Sequence, residues 1–314
     1  MPKKTQAKKA TPKKKSTKAT KSSKVQIVEQ VKLSNVLRIA AGSWLIIWRN
    51  RKAFSLIILI YGFAYLILVL GLSSPASANG FNAEFSNITH GHLSSFYSGY
   101  SVFTFLVGST ASSGTAEGGA YQAFIVVIAS LSIIWALRQL YSGTKIRVRD
   151  AYYLGMYPLI KYILIILFML IELIPLAVGL GLYSLLFGNS VAATAIEKLI
   201  SLVIVLGLVG LSAYLITSST IALYIVTLPD MTPMKALRSA KSLVKGRRWS
   251  VFRKIIFLPV LLFIVAGIVI LPFILVVPAL SPWLFFIITL VGLVYVHSYL
   301  YSLYRGLIDD QSTS

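Results

Sequence analysis

The chain has 314 residues, 57% hydrophobic and only 12% charged, with 30 Lys plus Arg against 9 Asp plus Glu and no cysteine. A soluble globular domain carries about 25% charged residues, so the composition excludes that class, and the missing cysteine excludes disulfides, thiolate catalysis and thiolate metal sites together. Because the apolar residues fall in runs of ~18 or more, the expected fold class is all-α, a polytopic membrane helix bundle of about six transmembrane helices.

Ten lysines and no acid lie in "MPKKTQAKKATPKKKSTKATKSSK", residues 1–24. Such a segment cannot bury enough apolar surface to offset the entropy of ordering it. Residues 1–30 therefore read as a disordered cytoplasmic tail, ahead of a membrane domain at 31–306 and a short C-terminal tail at 307–314. The tail's charge suits any polyanion: anionic lipid, or nucleic acid bound without sequence preference and with strong salt dependence. A solvated tail that only reinforces the orientation of the first span is the plainer reading.

Six apolar segments follow, at 53–73, 121–142, 158–187, 199–228, 255–277 and 283–304. "LSNVLRIAAGSWLIIWRNRK", residues 33–52, precedes the first, with Ser34 placed to cap a helix and an apolar stripe of Leu37, Ala40, Ala41, Trp44, Leu45 and Trp48. After that span, Ala76-Ser77-Ala78 resembles a signal-peptidase site. The apolar run before it exceeds the ~7–15 residues of a signal-peptide core, so the span is read as retained.

Residues 74–120 are expected as the one large external loop. Its Glu84, His90 and His92 are candidate metal ligands by spacing, with two solvated histidines as the plainer reading. "NIT" at 87–89 matches an N-glycosylation sequon. "FYSGYSVFTFLVG", residues 96–108, is too short to span and is suited to packing on the outer face of the bilayer.

"KIRVRDAYYLGMYPLIKY", residues 145–162, leads into the third span with Ala151 and Gly155 four apart. That thirty-residue run would be ~45 Å long as a straight helix against a hydrocarbon core of ~30 Å. It must tilt, kink or protrude, and Pro175 is the kink site. Arg138 and Lys161 are expected to snorkel to the interface. The pairs Gly179/Gly181 and Gly207/Gly210 allow close helix packing.

"PDMTPMKALRSAKSLVKGRRW", residues 229–249, interrupts the apolar pattern before the fifth span. Thr232 can cap a helix that starts at Pro233, and Gly246 is placed to end it. Ala236, Leu237, Ala240, Leu243 and Val244 then share an arc of about 120°. Lys235, Arg238, Lys241, Lys245 and Arg248 fill the other side, with Arg247 among them, and Trp249 and Arg253 follow. This is the pattern of a helix lying in the cytoplasmic interface, apolar face in lipid and basic face toward anionic headgroups. Similar preludes before the first and third spans indicate three copies of one unit: amphipathic helix, span out, span back. "PALSP" then joins the fifth and sixth spans.

The Lys/Arg-rich loops all fall on one side, which places both termini in the cytoplasm and the chain in the plasma (inner) membrane. Glu172 lies near the middle of the third span, where an ionisable group is costly and is a functional candidate by default. His297 on the sixth span is its candidate partner. Ser212, Thr217, Ser218, Ser219 and Thr220 on the fourth are candidates to line a polar cavity with it. The alternative is that these groups only satisfy helix–helix contacts.

"TPMKALRSAKSLVKGRRWSVFRKI" and "VRDAYYLGMYPLIKYIL" resemble the membrane domain found beside some glycerophosphoryl diester phosphodiesterases, and related six-span bacterial membrane proteins. The resemblance covers about residues 34–305, implies the fold, and transfers no functional residue. The soluble phosphodiesterase domain that sometimes accompanies this membrane domain is not expected within these 314 residues. The chain has no P-loop, HExxH or nucleophile elbow, nor a cluster of acids for two metals, and no cofactor is called for. The expectation is a non-catalytic multi-pass protein organising anionic lipids or envelope protein partners through its basic cytoplasmic face. The alternative is a small-molecule, ion or lipid transporter using Glu172.

Overall fold

In the computed structural model, residues 36–70, 116–183, 195–277 and 280–312 are described, and their regular structure is helical throughout. The Lys tail, Ser34, Ala76-Ser77-Ala78, Glu84, His90, His92 and the sequon lie outside the described residues. The helices are α1 (Val36–Arg49), α2 (Arg51–Tyr65, running into a π-helical turn at Leu66–Leu70), α3 (Ala116–Tyr141), α4 (Val148–Gly155), α5 (Leu159–Glu172), α6 (Ile174–Tyr183), α7 (Ala195–Ile225), α8 (Pro233–Val244), α9 (Arg248–Val276) and α10 (Ser281–Ser312).

Six stretches are long and apolar enough to cross a membrane: Arg51–Leu68, Gly119–Tyr141, Leu159–Tyr183, Leu199–Ile225, Arg248–Ile274 and Trp283–Asp309. The chain is a multi-pass membrane helix bundle. The third stretch is α5 and α6 together, broken at Leu173 two residues before Pro175. Proline lacks the N–H that would close the preceding turn, so the break falls where the sequence places it. α10 continues to Ser312, beyond residue 306.

The three amphipathic preludes are α1, α4 and α8, and their docking follows a rule. α4 packs on α3 and α8 packs on α7, each on the span that comes immediately before it. α1 has no preceding span and packs on α10, the last helix of the chain. Each prelude therefore docks on the return helix of the unit before it, and the first unit docks on the last. Further contacts of α2 with α10, α5 with α3, and α9 with α7 repeat the pattern, so the three units close into a ring.

Small residues make this docking possible. Ala236 and Ala240 of α8, and Ala151 and Gly155 of α4, are buried. A Cβ on Gly155 would come 3.2 Å from the Leu131 carbonyl oxygen, so α4 sits against the backbone of α3. Tyr152 of α4 donates to the Ile57 carbonyl of α2 at 2.9 Å. On α1, Ser43 is buried against α10, where Ser298 donates to the Ser43 carbonyl (3.2 Å) and Tyr295 to the Ala40 carbonyl (3.3 Å).

These contacts correct the expectation for α8 and locate the stripe of α1. The apolar face of α8 is not turned to lipid: Ala236, Ala240, Leu243 and Val244 join the main protein core. On α1 the buried residues are Ile39, Ala40, Ser43 and Ile47, whereas Leu37, Trp44, Leu45 and Trp48 of the expected stripe are exposed. α1 thus packs Ile39, Ala40, Ser43 and Ile47 inward and presents a Trp/Leu face outward, with Trp44 at the edge meeting Tyr295 of α10 at 6.3 Å. Trp44 and Trp48 stack there at 6.3 Å, and Arg51 lies over Trp48 at 5.6 Å. Of the four glycines expected at helix contacts, Gly179 meets a neighbour, Leu208 of α7, at 3.4 Å from its Cβ position; Gly181, Gly207 and Gly210 face open space.

Candidate functional site

α8 is built as its sequence directs. The Thr232 side chain accepts the Lys235 N–H at 3.4 Å, Pro233 occupies the first turn, and Gly246 turns the chain at φ 82°. Asp230, at φ 56°, makes the matching turn on entry. With the small-residue face fixed on α7, the opposite face of α8 and the start of α9 border an open groove of about 720 Å³. Tyr214, Arg238, Lys241, Ser242, Lys245, Gly246, Arg248 and Trp249 line it, with no acid among them.

The Arg248 guanidinium stacks over the Tyr214 ring at 4.2 Å, which fixes one wall. Trp249 is 69% exposed at the lip and packs against Phe252 with ring centres 5.5 Å apart. Of the basic residues singled out in the sequence, Arg238, Lys241, Lys245 and Arg248 converge here with Trp249; Lys235 and Arg247 lie outside the lining. Tyr214 was missed. Its signal is an aromatic with a polar tip near the middle of the fourth span, between Ser212 and Thr217.

Glu172 ends α5 at the helix break. Its Oε1 accepts from Ser219 of α7 at 2.8 Å, and its Oε2 is buried without a hydrogen-bond partner. Four residues on, the Leu176 N–H donates to Ser212 Oγ at 2.9 Å, so α7 satisfies a backbone group at the break. The other hydroxyls expected in a shared cavity turn back on their own helix. Thr217 donates to the Ala213 carbonyl (2.7 Å), Ser218 to Leu215 (3.0 Å) and Thr220 to Ile216 (2.9 Å).

His297 is not hydrogen-bonded to Glu172. Its Nδ1 lies 3.1 Å from the Tyr224 hydroxyl of α7, and its Nε2 lies 2.8 Å from Ser130 Oγ of α3. Each return helix contributes one member of this buried chain, which ties the ring together at its centre. Arg138 also departs from expectation. It turns into the bundle and donates from Nη2 to Thr227 Oγ1, and its Nε is buried without a hydrogen-bond partner. Arg305 lies over Tyr141 at 5.6 Å, completing an aromatic cluster with Tyr301 and Tyr304.

The basic groove and the helix break are on opposite faces of α7. At about 100° per residue, Ser212 and Ser219 lie within about 20° of each other, and Tyr214 lies roughly 140–160° away. One site is electropositive and open; the other is a single carboxyl group held by Ser219 at a helix break. Compared with known proteins, the chain matches no family model, and neither the curated proteins nor the solved structures give a match.

Proposed function

We propose that the protein is a non-catalytic, multi-pass component of the plasma membrane that holds anionic phospholipid at the cytoplasmic face through the groove between α7, α8 and α9. The observation that carries this reading is the convergence of Arg238, Lys241, Lys245 and Arg248 on one open groove with no acid in its lining. Basic pockets between spanning helices on the cytoplasmic side suit lipid headgroups, and each cation near an anionic leaflet contributes ~1 kcal/mol. The exposed Trp face of α1 supports the same placement, since tryptophan favours the headgroup level.

The test is native mass spectrometry of protein extracted in mild detergent, comparing wild type with an R238Q/K241Q/K245Q/R248Q variant of equal thermal stability. Anionic lipid retained by wild type and lost by the variant is the expected result. Equal lipid in both would sink the proposal.

A second reading, transport of an ion or small molecule, is favoured by one observation: Glu172 Oε2 is buried without a hydrogen-bond partner beside a broken spanning helix. Substrate flux into proteoliposomes that disappears with Glu172→Gln would favour it over the first reading. Unchanged flux would remove it.

A further inference from the structure

We infer that the ligand of the groove is a lipid carrying two phosphates joined by a short linker, a deepening that rests on the anionic-lipid reading above. The charge count comes first. Four cations line the groove with no acid among the described lining residues, so a headgroup with a single negative charge leaves most of the field unneutralised. The spacing comes second. Arg238 and Lys241 lie three residues apart on one face of α8 and Lys245 caps its C-terminal end, so the first and last are ~10 Å apart by helical rise. Arg248, held on Tyr214, adds a second cation among the residues lining the groove beyond the end of α8.

Positive charge is thus spread along a line. A pyrophosphate is too compact to use it. Two phosphodiesters bridged by a three-carbon unit extend roughly 7 Å, taking six extended single bonds at the reach of a peptide backbone. They can engage Arg238 and Lys241 with one phosphate and Lys245 and Arg248 with the other. Linking the phosphates makes the second contact intramolecular, which raises affinity without a new type of interaction.

The amphiphilic character of the ligand has separate support. The groove's lip carries the exposed Trp249, and Tyr214, on a spanning helix, is half exposed. An aromatic wall beside a row of cations fits a headgroup whose acyl chains run down the outside of α7 and α9. A volume of about 720 Å³ lies within the ~300–1,000 Å³ of ordinary ligand sites.

The experiment is a lipid titration of delipidated full-length protein, read by native mass spectrometry. The probes are diphosphatidylglycerol and phosphatidylglycerol at twice the molar concentration, so that charge is matched. Soluble glycerol bisphosphate and inorganic pyrophosphate are the competitors. Diphosphatidylglycerol is expected to bind about tenfold tighter. R238Q and R248Q, one at each end of the groove, should each reduce that preference toward unity, and K235Q, outside the lining, should leave it unchanged.

Equal binding of the two lipids at matched charge would overturn the two-phosphate inference and leave the anionic-lipid reading standing. Binding of both lipids that is indifferent to R238Q and R248Q would overturn both. Full competition by glycerol bisphosphate at concentrations comparable to the lipid would show the acyl chains to be dispensable and overturn the lipid assignment. A charge-reversed R238E variant with unchanged thermal stability guards against loss through misfolding, and retained preference in it would count against the inference.

Discussion

Ser130 Oγ and His297 Nε2 meet at 2.8 Å in the buried centre of the bundle, and the Tyr224 hydroxyl holds the other ring nitrogen at 3.1 Å. The three residues come from α3, α10 and α7, the return helices of the three units, so a single imidazole joins all three.

Replacing His297 with Ala leaves two buried hydroxyls without this partner. The expected loss is ~1–3 kcal/mol of stability, with about 1 kcal/mol for Tyr224→Phe. Because the groups share one network, the double variant should lose less than the sum of the singles. Thermal unfolding in detergent measures all three, and strict additivity would argue against a shared network.

The docking of α4 is open to a steric test. Gly155→Leu drives a side chain into the backbone around Leu131 and Ser132. Overpacking of this kind costs ~1–3 kcal/mol. Gly181→Ala, which faces open space, should change stability little and serves as the control. An unaffected Gly155→Leu protein would show that α4 does not sit where described.

Tyr152 gives the same interface a pH signature. Burial pushes its hydroxyl up to about 12 from an ordinary value of 10.0. A group raised in the folded state contributes stability in full below the unfolded value, and that contribution is lost as pH rises through the folded one. Wild type should therefore lose stability relative to Tyr152→Phe between about pH 10 and 12, measured as a difference in unfolding midpoint. Parallel profiles through that window would contradict it.

Glu172→Gln keeps the shape of the side chain and an acceptor for Ser219. Since Ser219 and Tyr214 occupy opposite faces of α7, lipid retention in the groove should be unchanged in this variant. Loss of lipid in native spectra would mean that the two faces are coupled.

The outward face of α1 predicts a fluorescence result. In variants keeping one tryptophan each, Trp44 and Trp48 should be quenched by brominated lipid and protected from aqueous iodide, as expected for tryptophan at the headgroup level. Iodide quenching without bromolipid quenching would place that face in water.

The bundle, its six spans and the ends of α8 were legible in the residues themselves. Apolar run length, Thr232 with Pro233, and Gly246 act locally, through backbone hydrogen bonds and dihedral preferences that need no distant partner. The break in the third span was legible for the same reason, because Pro175 removes its own N–H wherever the helix is placed. Tertiary structure alone decided which faces meet. The stripe read on α1 ran from Leu37 to Trp48, yet of it Ala40 is buried on α10 beside Ser43, while Trp44 only meets the edge of Tyr295 and Trp48 stays exposed. Sequence paired His297 with Glu172, yet the imidazole goes to Tyr224 and Ser130 and the carboxylate to Ser219. The physical reason is the solvent. In lipid a large apolar side chain is as well placed against acyl chains as against another helix, so hydropathy does not select the buried face; close approach of small residues and long-range hydrogen bonds do.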